Sequence, residues 1–225
     1  MFRIIKRYTI ICLSLVVMYT STVFSYVTFD DALFNHIDYL NTYANFKRDP
    51  SYALNSDLLV IGDSYAFLLA TNCGYGLDYI VHQGYTVEQI HNELLPGIPH
   101  EDFKYAFVFI GPNDFMRQTH PIDFKVNLQM IINELKFLKM KPVFVTYLHP
   151  NYDLFPEMLT KPISCTEYNI IINDLVAENN LLYMDIVDLI NKYGYIEGDI
   201  IHPSYDMYKP LMDRLIKFLR EDMQK

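Results

Sequence analysis

Positive charge is in short supply. The 225 residues hold 18 Lys and Arg against 27 Asp and Glu, a formal charge of −9, and no basic stripe occurs beyond the extreme N-terminus. Nucleic-acid binding requires clustered Lys and Arg that displace counterions, so that class of partner is excluded. Cysteine is scarce as well, with three residues at positions 12, 73 and 165. Neither these nor any His/Cys/Asp cluster has zinc-like spacing, so no metal site is expected. Cys73 and Cys165 either pair in an exported protein or stand apart as half-buried thiols, and the sequence leaves both open. Repeats and low-complexity tracts are also missing. Half the residues are apolar (51%) and only 20% charged. That is too much core and too little charge for a disordered chain, and the length suits one domain plus an appendage.

The appendage is N-terminal. Arg3, Lys6 and Arg7 precede an uncharged, mostly apolar run from Tyr8 to about Phe24. Residues 1–25 therefore read as a signal peptide or a membrane anchor, and the positive-inside rule leaves the remainder outside the cytoplasm, secreted or tethered. Cys12 follows Ile11 rather than the small residue that lipid attachment needs, and reads as a membrane-facing apolar position. Residues 26–56 are read as a linker helix. Thr28 or Asp30 caps it, Leu33, Phe34, Ile37, Leu40 and Phe46 recur at near-helical spacing, and Pro50 ends it. The folded domain is expected over 57–225.

That domain is organised around Leu58-Leu59-Val60-Ile61-Gly62-Asp63-Ser64, a short apolar run that reads as a strand buried on both faces. From there strands and helices alternate. Strands are expected at 58–62, 79–82, 105–110, 143–147 and 181–185. Helices are expected near 65–71, 87–95, 123–139 and 165–179, with a short one after 185 and a last one over 204–221. Five apolar strands separated by helices imply a parallel sheet covered on both faces, an α/β fold built as a three-layer α/β/α sandwich. The expected strand order is the flavodoxin-like 2-1-3-4-5, which opens a crevice between strands one and three.

Polar residues gather at the carboxyl ends of these strands. Ser64 follows the first, Gly84 the second and Asn113 the third, while Asp199 and His202 lie in the loop before the last helix. Each has an ordinary alternative, as a helix cap, a turn residue or a solvated imidazole. Asp63 and Asp114 are read as local hydrogen-bonding residues. His82, Tyr147 and His149, also near strand ends, are read as packed or solvated, and Arg117 with the loop 149–163 as shaping access.

In order, Gly62-Asp63-Ser64, Gly84 with Thr86, Gly111-Pro112-Asn113-Asp114 and Asp199-Ile200-Ile201-His202-Pro203 resemble the four sequence blocks of the SGNH hydrolases, the GDSL esterase/lipase family. The resemblance covers about residues 57–205. It implies Ser64 as nucleophile, His202 as base, Asp199 as its orienting acid, and Ser64, Gly84 and Asn113 as oxyanion donors. Tyr65-Ala66-Phe67 departs from the Leu that usually follows the serine, which bears on pocket shape.

The physical chemistry runs alongside. A serine hydroxyl needs a neighbouring base, histidine titrates near neutrality, and a carboxylate three residues earlier can turn back to orient it. The expected activity is hydrolysis of an oxygen ester through an acyl-enzyme, without cofactor or metal. The substrate is a small acyl ester or an acylated glycan, acetyl foremost. Alternatives are acyl transfer to a cell-surface glycan by the same site, a lipase or lysophospholipase, and a glycan-binding protein without activity.

Overall fold

The computed structural model describes residues 57–74, 77–98, 103–145 and 150–224. The expected anchor (1–25) and linker helix (26–56) lie outside the described residues, as do Tyr147 and His149. Among the described residues no helix is long and apolar enough to cross a membrane.

Five strands, β1 (Leu58–Gly62), β2 (Asp78–Val81), β3 (Tyr105–Phe109), β4 (Lys141–Val145) and β5 (Leu182–Met184), form one parallel sheet in the order β2-β1-β3-β4-β5. This is the expected α/β arrangement. Every residue of β1 and β3 is buried, whereas the edge strands β2 and β5 are partly exposed. A central strand of a parallel sheet is covered by helices on both sides and so must be continuously apolar. Strand β4 begins two residues before the expected 143, because Lys141 and Pro142 continue the ladder opposite Tyr105 and Ala106.

Helix α1 (Ser64–Asn72) follows β1 directly, and α2 (Val87–Gln89) follows β2. The stretch from 87 to 95 is not the single regular helix expected. After α2 it widens into a π-turn over Ile90–Leu94 and tightens into a 3-10 turn over Leu95–Gly97, where Pro96 has no N–H to continue an α-helix. Helix α3 (Pro112–Arg117) was not expected at all. Its sequence, Gly-Pro-Asn-Asp, reads as a turn, but Pro at the first helical position is pre-set for helix and forfeits only an N–H that has no intrahelical partner. Among the described residues the remaining α-helices are α4 (Pro121–Phe137), α5 (Cys165–Glu178), α6 (Val187–Tyr193) and α7 (Tyr208–Met223).

Side chains alternate across the sheet. Leu59, Ile61, Ala106, Val108 and Phe144 join Phe124, Leu128, Ile131 and Ile132 of α4 and Tyr168, Ile172 and Leu175 of α5 in one core. Helices α1 and α7 pack on each other away from this core, burying Leu69, Tyr208, Leu211 and Leu215. At the far end of α7, Asp222 accepts from Tyr105 Oη and Lys141 Nζ, tying the helix to β3 and β4. Each fully buried Leu or Ile contributes about 1.5–3 kcal/mol by leaving water. Cys73 and Cys165 are both buried and are not joined to each other; the Cys165 Sγ lies 2.7 Å from Tyr152 Oη.

Gly62, the last residue of β1, has φ +150°. A Cβ there would lie 1.8 Å from the Phe109 carbonyl oxygen. Only glycine lets β1 and β3 approach this closely while the chain turns out of the sheet.

Candidate active site

The site starts where β1 ends. Asp63 caps α1, its Oδ1 accepting from Tyr65 N at 3.0 Å, so Ser64 becomes the first helical residue at the carboxyl edge of the sheet. The N–H of a first helical residue has no intrahelical acceptor, and among the described residues nothing accepts from Ser64 N.

Asp199 and His202 lie on a loop that closes on itself. Ser204 N donates to Gly194 O, Ile196 N to His202 O and Asp199 N to Ile196 O, each at 2.9 Å, and Tyr195 bridges Pro203. Within it, Asp199 Oδ1 accepts from the backbone N–H groups of Ile201 and His202, both at 2.8 Å. Asp199 Oδ2 lies 2.9 Å from His202 Nδ1, and His202 Nε2 lies 2.8 Å from Ser64 Oγ. Partial burial pushes the Asp199 carboxyl up, but the two backbone donors and the imidazole outweigh it and hold the group below its ordinary value. Asp199 therefore stays ionised at neutral pH and can accept a hydrogen bond from the imidazole.

Two outside contacts hold the loop. Asn151 N donates to Ile200 O at 2.7 Å. The Tyr65 hydroxyl donates to Ile201 O at 2.5 Å, from a ring that is 1% exposed, stacks on Phe109 and lies 5.4 Å from the His202 ring. The position that departs from the usual leucine thus faces inward, as a brace between α1 and the histidine loop. No pattern in the sequence signals this contact.

Asn113 is the second residue of α3. Its Nδ2 donates one hydrogen to Asp63 Oδ2 at 3.2 Å, which leaves the other for a ligand. Asp63 therefore does more than the expected local bonding, since it links the residue before Ser64 to a donor 50 positions away. Complete burial drives the Asp63 carboxyl up to about 8, against the opposing pull of the Tyr65 N–H. Asp114 also reaches across, Oδ2 accepting from Val87 N at 3.0 Å, and burial raises it to about 6.

Gly84 lies between β2 and α2, at φ +80°. Among the described residues nothing accepts from its N–H, while its carbonyl accepts from Arg117 Nη2 at 2.8 Å. Thr86 caps α2, in a capping box with Gln89. A cleft of about 340 Å³ opens beside Ser64, walled by Phe67, Leu68, Gln83, Ile196, His202 and Tyr205. His82 turns aside, its ring stacked on Tyr85.

Of the five sequence-predicted residues, Ser64, His202 and Asp199 form one hydrogen-bonded chain. Asn113 stands outside that chain, bonded to Asp63, the residue before Ser64, and Gly84 follows the cleft residue Gln83. Such an arrangement can deprotonate a serine hydroxyl during attack.

Known structures share this architecture. A GDSL-like lipase from Bacteroides thetaiotaomicron superposes with a TM-score of 0.61 at 14% identity, covering 82% of this chain and 98% of that one. A psychrotrophic esterase from a Pseudoalteromonas species, in a structure inhibited by monoethylphosphonate, gives 0.54 at 15%, covering 75% and 98%. A lipase/acylhydrolase from Enterococcus faecalis gives 0.53 at 20%, covering 71% and 94%. No family profile and no curated protein matches the sequence. What is shared with these structures is the fold.

Proposed function

We propose that this chain, which has the fold of the GDSL-like lipases and acylhydrolases, is a serine hydrolase of oxygen esters that removes small acyl groups, acetyl foremost, from a carbohydrate or similar alcohol. The observation that carries this reading is the continuous path Asp199–His202–Ser64, with contacts of 2.9 and 2.8 Å. In the proposed reaction Ser64 Oγ attacks the ester carbonyl as His202 Nε2 takes its proton. Asp199 holds the Nδ1–H tautomer and balances the imidazolium. The oxyanion is met by the N–H groups of Ser64 and Gly84 and by the free amide hydrogen of Asn113. As the carbonyl re-forms, the alcohol leaves with the proton from Nε2. A water molecule then repeats the sequence on the acyl-serine and releases the acid.

Two features favour a short acyl group on a hydroxylated alcohol. The cleft, at about 340 Å³, is at the small end of the range for ligand pockets, about 300–1,000 Å³. Its rim carries Gln83 and the half-exposed ring of Tyr205, a polar group and an aromatic face suited to a hydroxylated alcohol. The N-terminal Arg3, Lys6, Arg7 and the apolar run after them support placing this activity outside the cytoplasm, on secreted or membrane-tethered protein.

Nitrophenyl esters from acetyl to long-chain acyl, run beside acetylated sugars, test the reading. Highest kcat/KM on acetyl substrates, with loss in Ser64→Ala, is the expected result. Turnover that survives Ser64→Ala would overturn it. Product analysis with an acceptor sugar present separates hydrolysis from acyl transfer, since transfer yields an acylated acceptor in place of free acid.

A further inference from the structure

The oxyanion donors must themselves be held. Gly84 is poorly placed to hold itself, because it has no side chain, sits at φ +80° and would have nothing within 4 Å of a Cβ. Upstream the chain is anchored by His82 N donating to Gly62 O at 3.0 Å. Downstream the grip comes from α3. Arg117 Nη2 donates to Gly84 O at 2.8 Å, and Nη1 of the same guanidinium donates to Gln89 Oε1 at 3.2 Å. Gln89 in turn closes the capping box on Thr86. One helical turn before Arg117, Asp114 takes the N–H of Val87. Three residues of the 84–89 segment are thus gripped by two side chains of α3, and the same helix presents Asn113.

We infer that Arg117 is a positioning residue for the Gly84 N–H, so that α3 sets two oxyanion donors, Asn113 and Gly84, as one unit. A guanidinium fits this role because its planar fork engages two acceptors in fixed directions, which a single ammonium cannot do. With the fork removed, the glycine is free to rotate about φ and ψ and its N–H loses its aim. Arg117 itself is exposed and distant in sequence from the nucleophile, so its loss leaves the core intact. The inference rests on the ester-hydrolase reading above.

The test compares wild type, Ser64→Ala and Arg117→Ala on nitrophenyl acetate and on its thionoacetate counterpart. Sulfur is a weaker hydrogen-bond acceptor than oxygen, so the oxo/thiono rate ratio reports the oxyanion donors themselves. Arg117→Ala is expected to lower kcat on the oxo ester on the order of ten- to a hundred-fold, the cost of a misplaced catalytic contact. KM should change less than about two-fold, the oxo/thiono ratio should fall, and added guanidinium ion should restore part of the rate in Arg117→Ala alone. If Arg117→Ala does not accumulate, Arg117→Lys carries the same comparison. Ser64-dependent turnover that Arg117→Ala leaves unchanged, or lowers with an unaltered oxo/thiono ratio, would overturn the inference alone. Absence of Ser64-dependent turnover in the wild type would overturn the hydrolase reading, and the inference with it.

Discussion

The Nε2 atom of His202 stands 2.8 Å from the Oγ of Ser64 across 138 residues of chain. At that distance the hydroxyl and the ring nitrogen share a direct hydrogen bond, and in the proposed reaction the two side chains act as one device. Ser64→Ala and His202→Ala are each expected to lower kcat on acetyl esters by about 10³-fold or more. The double variant should be no worse than either single one, because removing half of a joint device already disables it. Losses that multiply would speak against the pairing.

Asp63 holds one amide hydrogen of Asn113, and the other is the one assigned to the oxyanion in the proposed reaction. Asn113→Ala should cost on the order of 10²–10³ in kcat, about 2.7–4 kcal/mol, with KM little altered. Steady-state kinetics on one acetyl substrate measure this. A rise in KM at constant kcat would assign Asn113 to ground-state binding instead.

Tyr65→Phe keeps the ring on Phe109 and deletes only the hydroxyl that holds Ile201 O. The folded state should lose on the order of 1 kcal/mol, read by denaturant melts, and kcat should drop several-fold. In a His202→Ala background the kinetic effect of Tyr65→Phe should vanish, since the brace acts through the imidazole. Persistence of the effect there would make Tyr65 a matter of general packing.

Burial sets the Asp63 carboxyl at about 8, against 3.8 when exposed. The folded protein therefore binds this proton more tightly than the unfolded chain does. The resulting stabilisation is complete below pH 3.8 and is lost as pH rises through about 8. Relative to Asp63→Asn, which cannot titrate, the wild type should show a melting temperature that declines across that window. Parallel Tm curves for the two proteins would mean that Asp63 is already ionised when folded.

What could be read from the sequence depended on the range of the cause. β1 and β3 were legible because double-sided burial demands an unbroken apolar run, and Leu58–Ile61 and Tyr105–Phe109 supply it. The parallel order followed from strand–helix alternation, and with it the shared edge on which Ser64, Gly84 and Asn113 fall. Helix α3 was hidden because Gly111-Pro112-Asn113-Asp114 is equally good turn chemistry, and only the packing against 84–89 decides between them. The contacts of Tyr65 with Ile201, Asp63 with Asn113 and Arg117 with Gly84 span from 33 to 136 residues. No local pattern encodes such a reach, so the supports of the site were invisible where its polar residues were not.

The self-closed loop from Gly194 to Ser204 carries both Asp199 and His202, and Ser64, the proposed nucleophile, stands on a different element. A fluctuation that lifts this loop would carry acid and imidazole away together, with the ring still correctly tautomerised. Reactivity would then be lost and regained as a single docking event, without any rebuilding of the pair. The resting protein need only re-seat one preassembled piece against α1, and Tyr65 is the latch that receives it.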